Sequence, residues 1–325
     1  MKRASKSITV TAGILIGLLI VAAMCWSFVL CYRVLHPPRL TDTGWLTQQY
    51  PHIADWLDSI RNNDRLHDTV LLNADGEQLH ARWLRAPEPT DRTAVLLHGY
   101  QGAAEAMLMI GYLYNHDLGF NVLIPDLRGH GRSEPSTVSM GWTERQEVVE
   151  WIRTADSLFG GNSQIVLHGV SMGAATTMIA AAEEALPASV RCAVEDCGYT
   201  STRDVFADSW KKQSRLPLFP LFQLSDLWCR ILYGWSFAEA SPLEAMRRCR
   251  LPMLFIHGDR DSVVPVEMVH RLYDAKIGEK ELWILPGVDH GAAYLHDPQA
   301  YTQHVRSFVE RWFDNHATSE NTQAR

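Results

Sequence analysis

The chain has 325 residues, of which 46% are hydrophobic and 21% are charged, and its formal net charge is −7. This length suits one large α/β domain with an appendage, and the apolar content is sufficient for a sizeable core. An acidic chain lacks the basic face that nucleic-acid binding needs, so we expect no nucleic-acid partner.

The first predicted element is an apolar helix near the N-terminus. The run from Ile8 to Cys31 is 24 residues long, and no charged residue occurs between Lys6 and Arg33. A helix needs about 20 apolar residues to cross a membrane, whereas a cleaved signal peptide usually has an apolar core of about 7–15. We therefore predict a cytoplasmic stub over residues 1–7 and an uncleaved single-pass anchor over residues 8–32.

The charges around this segment predict its orientation. Lys2, Arg3 and Lys6 precede it, whereas Arg33 and Arg39 follow it. The excess of positive charge before the segment favours a cytoplasmic N-terminus, with the rest of the chain extracytoplasmic.

The remainder of the chain reads as alternating strands and helices. Residues 33–67 are expected to form a linker and a packing helix, and a hairpin with Asp75-Gly76 at its turn follows. Six apolar runs come next, at 93–98, 121–125, 164–168, 191–195, 252–257 and 280–285. Strands of this kind, separated by helices, predict an α/β fold with about eight strands in a mostly parallel sheet, covered by helices on both faces.

One stretch, residues 200–249, interrupts this alternation. It has no strand pattern and is rich in Leu, Phe and Trp. Long loops are usually lids or disordered, and this one is too apolar for disorder. We predict a small helical cap, the alternative being an ordinary crossover helix with loops. The polar residues 317–325 are expected to form a flexible tail.

The six cysteines do not indicate a metal centre, because no CxxC or zinc-finger spacing occurs. Cys192 and Cys197 flank a predicted strand and are expected to be small buried side chains. A disulfide remains possible for an exported domain.

The segment Gly169-Val170-Ser171-Met172-Gly173 has the form G-x-S-x-G. It follows an apolar strand and precedes a helix of small residues, which is the context that a nucleophile elbow requires. The turn presents Ser171 at a helix N-terminus, where the helix dipole favours developing negative charge. Ser171 is the predicted nucleophile.

A serine nucleophile needs a base and a group that orients the base, and in this topology the acid and then the histidine follow the serine. His290 comes directly after the last strand and is the predicted base. Among the other histidines, His257 lies within a strand, His270 lies on a helix, and His296 lies further along the chain.

The acid is expected in the loop after the preceding strand, where two carboxylates compete. Asp259 comes straight off the strand and is expected to brace the turn, whereas Asp261 lies further into the loop and is the predicted partner of His290. Asp196 is a third candidate, interpreted as bracing a loop. The predicted oxyanion donors are the backbone N–H groups of Met172 and Tyr100.

Together these motifs resemble the α/β-hydrolase superfamily, in its order, over roughly residues 68–312. The matching segments are His98-Gly99-Tyr100, Asp126 to Ser133, Gly169 to Gly173, Asp261 to Pro265 and Asp289-His290-Gly291. The chain looks most like membrane-anchored bacterial hydrolases with a small cap, of esterase or lysophospholipase type. The resemblance implies an α/β-hydrolase domain over residues 68–316 and ester hydrolysis through an acyl-enzyme, without a cofactor. It also implies a triad of Ser171, Asp261 and His290, and a structural role for the loop with Arg128 and His130.

Several alternatives stay open. Thioesterase, peptidase and acyltransferase activities share the triad, whereas a serine at position 171 disfavours epoxide hydrolases and dehalogenases, which have Asp there. A catalytically inactive binding protein on this fold is a further possibility. The expected partner is a small-molecule or lipid-like ester. Trp210, Phe222 and Trp228 of the cap are candidates to bind it. The oligomeric state stays open.

Overall fold

The computed structural model describes residues 2–39, 44–214 and 217–313. The strands are β1 (His67–Leu72), β2 (Gln78–Leu84), β3 (Arg92–Leu97), β4 (Asn121–Pro125), β5 (Gln164–Val170), β6 (Val190–Asp196), β7 (Met253–Gly258) and β8 (Lys280–Leu285). The α-helices are α1 (Lys2–Leu35), α2 (Trp45–Gln49), α3 (Ala54–Asn62), α4 (Leu108–Tyr112), α5 (Glu144–Leu158), α6 (Met172–Ala180), α7 (Thr202–Gln213), α8 (Leu221–Tyr233), α9 (Pro242–Met246), α10 (Glu267–Ala275), α11 (Ala293–His296) and α12 (Pro298–Phe313). The tail predicted at 317–325 lies outside the described residues.

The strands form one sheet in the order β1-β2-β4-β3-β5-β6-β7-β8. β1 pairs with β2 and β2 pairs with β4 in antiparallel fashion, and every pairing from β4 to β8 is parallel. The predicted eight-stranded, mostly parallel sheet is therefore confirmed. Parallel strands place their C-terminal ends at one edge, and the loops that leave this edge carry the chemistry described below.

Helices cover both faces of the sheet, which explains why the central strands are continuously apolar. In β3, Val95 and Leu97 face one buried cluster, and Ala94 and Leu96 face the other, as the period of two requires. The first cluster includes α5, α6 and the helices of residues 202–246, and the second includes α3, α4 and α12.

The stretch that interrupts the alternation is helical, as predicted. It contains α7, α8 and α9 and no strand among its described residues. Ser201 and Ser241 cap α7 and α9, where each side chain accepts a hydrogen bond from the backbone N–H three residues on. Gly234 ends α8 in the left-handed conformation.

Helix α1 is the single helix among the described residues that is long and apolar enough to cross a membrane, over Thr11–Leu35. It ends directly before His36-Pro37-Pro38, because proline cannot continue a helix. Its two halves differ. The side chains from Thr11 to Ala22 are exposed, whereas Ser27, Cys31 and Leu35 are buried against the rest of the protein.

Candidate active site

The predicted site residues meet at the C-terminal edge of the sheet. Ser171 follows β5, Asp261 lies in the loop after β7, His290 lies in the loop after β8, and Tyr100 lies in the loop after β3. Residues that are far apart in the chain are thus brought together by the parallel arrangement of the strands.

Ser171 occupies a strained backbone position. Its φ is 57° and its ψ is −115°, in a region that residues with a Cβ rarely adopt. The turn is fixed from both sides, because the Ser171 N–H donates to the carbonyl of Asp196 at 2.8 Å and its carbonyl accepts from Ala175 at 3.0 Å. The strain is therefore held by the surrounding fold, as is common at functional sites.

The two glycines of the G-x-S-x-G segment are needed for packing. A Cβ on Gly169 would lie 2.1 Å from the carbonyl oxygen of Gly173, and a Cβ on Gly173 would lie 2.0 Å from the carbonyl oxygen of Leu97. Neither space admits a carbon atom. The sharp strand–helix connection therefore depends on the absence of side chains at both positions.

A chain of hydrogen bonds links Ser171, His290 and Asp261. His290 Nε2 lies 2.8 Å from Ser171 Oγ, and His290 Nδ1 lies 2.7 Å from Asp261 Oδ2. Nδ1–H donates to the carboxylate, which leaves Nε2 to accept the serine proton. The arrangement has the geometry of a nucleophile, a base and an orienting acid.

Asp261 is held as a carboxylate by its neighbours. Its Oδ1 accepts from the N–H groups of Val263 (2.9 Å) and Val264 (2.7 Å), and its Oδ2 also lies 3.3 Å from His257 Nε2. Burial opposes ionisation, but the hydrogen bonds from His257 and His290 hold the pKa of Asp261 below its usual range. An ionised Asp261 is suited to stabilise a positively charged His290.

The competing carboxylates have other partners. Asp259 Oδ1 accepts from the N–H of Gly287 at 2.6 Å, so it braces the turn after β7 against the turn after β8. Asp196 accepts from the hydroxyl of Tyr301 at 2.9 Å, and burial raises its pKa to about 6. Asp289 accepts from the N–H groups of Ser262 (2.8 Å) and His290 (2.7 Å), which ties the loops after β7 and β8 to each other.

The predicted oxyanion donors flank Ser171. Met172 is the first residue of α6, and the N–H groups of a helix's first turn have no partner within the helix. Tyr100 comes directly after Gly99, where a Cβ would lie 3.7 Å from Ser171 Oγ. Tyr100 and Met172 both line the cavity that contains Ser171.

Two buried histidines support the loop of Tyr100, and the sequence analysis assigned a site role to neither. His98 accepts from the N–H of Leu127 at Nε2 (3.0 Å) and contacts the carbonyl of Gly99 at Nδ1 (2.7 Å). His130 accepts from the N–H of Gln101 at Nε2 (3.0 Å). Burial lowers the pKa of His130 to about 3, so its ring is neutral and can accept.

The cavity over Ser171 has a volume of about 600 Å³. The candidate pocket residues Trp210 and Phe222 line a neighbouring cavity of about 370 Å³ between α1, α7 and α8. Trp228 packs on α1 instead: its indole N–H lies 3.1 Å from the carbonyl of Met24 and 3.2 Å from Ser27 Oγ.

One group of described side chains has the spacing of metal ligands, namely Cys197, Asp261 and His290. Asp261 and His290 are hydrogen-bonded to each other, and burial raises the pKa of the Cys197 thiol well above its ordinary value. A thiol binds metal as a thiolate, so these residues fit a serine site better than a metal site. All six cysteines are free thiols.

Comparison with known proteins places this geometry in context. The model of the alpha/beta hydrolase family matches residues 94–304. The uncharacterized protein YqkD of Bacillus subtilis is 28% identical over 306 residues, which cover 92% of this chain and 97% of YqkD. The uncharacterized membrane protein YNL320W of Saccharomyces cerevisiae is 24% identical, over 75% of this chain and 80% of its own length.

Solved structures show the same fold. The esterase Pf2001 of Pyrococcus furiosus aligns with a TM-score of 0.67 and 22% identity, over 86% of this chain and 98% of the esterase. Est1E of Butyrivibrio proteoclasticus, solved with bound ferulic acid, aligns with a TM-score of 0.59 and 19% identity, over 76% of this chain and 99% of Est1E.

Proposed function

Because this chain belongs to the alpha/beta hydrolase family, we propose that it is a serine hydrolase that cleaves carboxylic esters through an acyl-enzyme on Ser171. The observation that carries the proposal is the chain of hydrogen bonds from Ser171 Oγ through His290 to Asp261, at 2.8 and 2.7 Å. Among the solved structures of this fold, Pf2001 is named an esterase and Lip1 of Acinetobacter baumannii is named a putative lipase. These names support esters as the substrate class.

In the first half of the proposed reaction, Ser171 Oγ attacks the ester carbonyl carbon while its proton moves to His290 Nε2. The carbonyl π electrons move to oxygen, and the N–H groups of Tyr100 and Met172 stabilise this oxyanion. When the intermediate collapses, the bond to the alcohol oxygen breaks and His290 returns the proton to that oxygen. Asp261 remains ionised and stabilises the imidazolium form of His290.

In the second half, a water molecule attacks the acyl carbon and gives one proton to His290. Collapse releases the carboxylic acid and returns the proton to Ser171, so the site is regenerated without a cofactor. Each oxyanion donor typically contributes about 10²–10³ to the rate of such reactions. Both donors are backbone groups, which the fold rather than a side chain holds in position.

The N-terminal helix supports a location at a membrane. We propose that α1 is a single-pass anchor with its N-terminus in the cytoplasm and the hydrolase domain outside, because Lys2, Arg3 and Lys6 precede it. Protease treatment of sealed, right-side-out membrane vesicles tests this proposal. The domain should be digested while an N-terminal tag survives, and the reverse pattern would invert the proposed orientation.

The catalytic proposal is tested with a fluorophosphonate probe, which reacts only with activated serines. Full-length protein in detergent is the suitable sample, because Cys31 and Leu35 of α1 belong to the domain core. Wild type should be labelled and should hydrolyse p-nitrophenyl butyrate, whereas Ser171→Ala should do neither. Ser139→Ala is the control, since the hydroxyl of Ser139 contacts Glu144 instead of His290.

Comparing an ester with the thioester and the anilide of the same acyl group separates esterase, thioesterase and peptidase activities. We expect the ester to be cleaved faster than the corresponding thioester and anilide. A folded wild-type protein that is neither labelled nor active would contradict the enzyme proposal and favour a binding function for the fold.

A further inference from the structure

The cavity between α1, α7 and α8 has one wall made by the N-terminal helix. Trp26, Leu30 and Val34 line it from α1, and Phe206 and Phe222 face them from α7 and α8. The three α1 residues follow one another at a spacing of four, so they share one face of the helix. The N-terminal helix therefore forms one side of this cavity.

This cavity adjoins the cavity over Ser171. Val34, Phe206, Ser209 and Gln213 line both spaces. The two cavities are therefore direct neighbours, one at the proposed nucleophile and the other at Leu30 and Trp26 of α1. The cavity at α1 is mainly apolar, and at about 370 Å³ it exceeds the cavity of about 150 Å³ that accepts benzene.

The position of the cavity at α1 relative to a bilayer follows from the length of this helix. Twenty residues at a rise of 1.5 Å span about 30 Å, so a hydrocarbon core that begins at Ile8 ends near Ser27. Trp26 and Leu30 then lie at the bilayer surface, on the side of the hydrolase domain. Trp26 is 55% exposed, which suits the preference of tryptophan for this interface.

Helix α8 lies beside this part of α1. Ser225 donates to the carbonyl of Ser27 at 3.1 Å, and the ring of Tyr233 lies 5.9 Å from that of His36, so the two helices run in the same direction. The N-terminal end of α8 therefore points toward the membrane. Phe219, which comes just before α8 and is 70% exposed, lies at this end and is suited to lipid contact.

From this arrangement we propose that the cavity between α1, α7 and α8 is an acyl-chain site, and that the substrate is a long-chain ester which enters from the bilayer. The acyl chain lies along Leu30 and Val34, in the space enclosed by α1, α7 and α8, while its carbonyl reaches Ser171. The membrane helix thereby forms part of the substrate site. This inference rests on the proposed function of Ser171.

A long-chain alkyl fluorophosphonate with a diazirine at its far end tests the path of the chain. Ser171 Oγ attacks phosphorus and fluoride leaves, after which light releases N₂ and the carbene inserts into the nearest side chain. The sample is full-length protein in vesicles of palmitoyl-oleoyl phosphatidylcholine. We expect cross-links to peptides that contain Trp26 to Val34 or Leu221 to Ser225.

Cross-links confined to other parts of a Ser171-labelled protein would overturn the acyl-chain site and leave the serine hydrolase intact. Absence of any Ser171 adduct would instead overturn the proposed function. The two failures are therefore distinguishable within one experiment.

A pair of substitutions on neighbouring residues of α1 provides the kinetic test. Leu30→Trp fills the cavity, whereas Val29→Trp makes the same change on an exposed neighbouring residue. Leu30→Trp should lower the ratio of kcat/KM for p-nitrophenyl palmitate over p-nitrophenyl acetate by at least about tenfold, the effect of losing the burial of two methylene groups.

Val29→Trp should leave this ratio unchanged. Phe222→Trp narrows the same cavity from α8. This second variant provides the test if Leu30→Trp does not fold. An unchanged ratio in the folded cavity variants, or an equal fall in Val29→Trp, would overturn the proposal.

Discussion

The phenolic oxygen of Tyr100 lies 2.8 Å from the backbone carbonyl oxygen of Val34, and its hydroxyl donates to that carbonyl. The last turn of α1 is thus bonded to the loop that carries a proposed oxyanion donor. A second bond, from the N–H of Val138 to the carbonyl of Leu35 at 2.9 Å, fixes the same turn to the domain.

Replacing Tyr100 with Phe removes this hydrogen bond and keeps the backbone N–H. We expect a loss of about 0.5–1.5 kcal/mol in the free energy of unfolding, together with a lower kcat, because the loop is held less firmly. Thermal unfolding and ester hydrolysis measure the two effects. Tyr112→Phe, outside the Ser171 cavity, should leave kcat unchanged, and an equal loss in both variants would contradict this role for Tyr100.

The proposed acid is tested by Asp261→Asn with Asp259→Asn as its partner control. An amide at position 261 cannot stabilise the imidazolium form of His290 in the same way, and such a change in a related triad lowers kcat by about 10⁴. The amide oxygen at position 259 can still accept from Gly287, so the second variant should lose much less activity. Similar losses in both variants would contradict the assignment of Asp261.

Glu195 should contribute a fall in the free energy of unfolding as the pH rises from 5 to 8. Burial raises the pKa of this carboxyl to about 8, whereas in the unfolded chain the pKa is about 4.3. At a pH between these two pKa values, Glu195 is protonated in the folded protein and ionised in the unfolded chain. The stabilisation is therefore complete below the unfolded pKa and is lost as the pH rises toward the folded pKa.

Glu195→Gln should remove this contribution, which amounts to up to about 1.4 kcal/mol per pH unit. Asp196, with a pKa raised by burial to about 6, should retain part of the slope at lower pH. Urea unfolding at several pH values measures how the free energy of unfolding depends on pH. The exposed Glu88→Gln should follow wild type, and a Glu195→Gln slope as steep as that of wild type would refute the role of Glu195.

Gly173→Ala should abolish fluorophosphonate labelling, because the new Cβ would lie 2.0 Å from the Leu97 carbonyl oxygen and would displace the turn of Ser171. Overpacking of this kind commonly costs about 1–3 kcal/mol. Gly234→Ala meets no atom within 4 Å and is the control, since its only penalty is that of a left-handed residue. Fluorophosphonate labelling of the Gly173→Ala variant would show that the turn of Ser171 tolerates the added Cβ, contrary to this prediction.

The meeting of Ser171, Asp261 and His290 at the sheet edge was predictable because each residue has a local sequence signal. The G-x-S-x-G segment lies between a strand and a helix, and Asp261 and His290 each follow a strand, so parallel pairing alone brings them together. The roles of His98 and His130 were not predictable in this way, since each acts on a loop that is distant in sequence.

The packing of the second half of α1 on the rest of the protein was also not predictable from the sequence. An apolar helix has the same composition whether lipid or protein covers it, and only tertiary contacts separate Leu15, which is exposed, from Leu35, which is buried. For the same reason Trp228 was expected near substrate, although it packs on Ser27. Aromatic residues in a cap indicate burial without indicating the partner.

The contact between Ser27 and Ser225 has a consequence for biosynthesis. Because α1 is made first and α8 follows almost two hundred residues later, synthesis at about 5–20 residues per second separates the two by roughly 10–40 s. During that time α1, in its proposed role as an anchor, has no α8 to pack against. If α1 is inserted in this way, we expect the packing between α1 and α8 to form only at the bilayer surface.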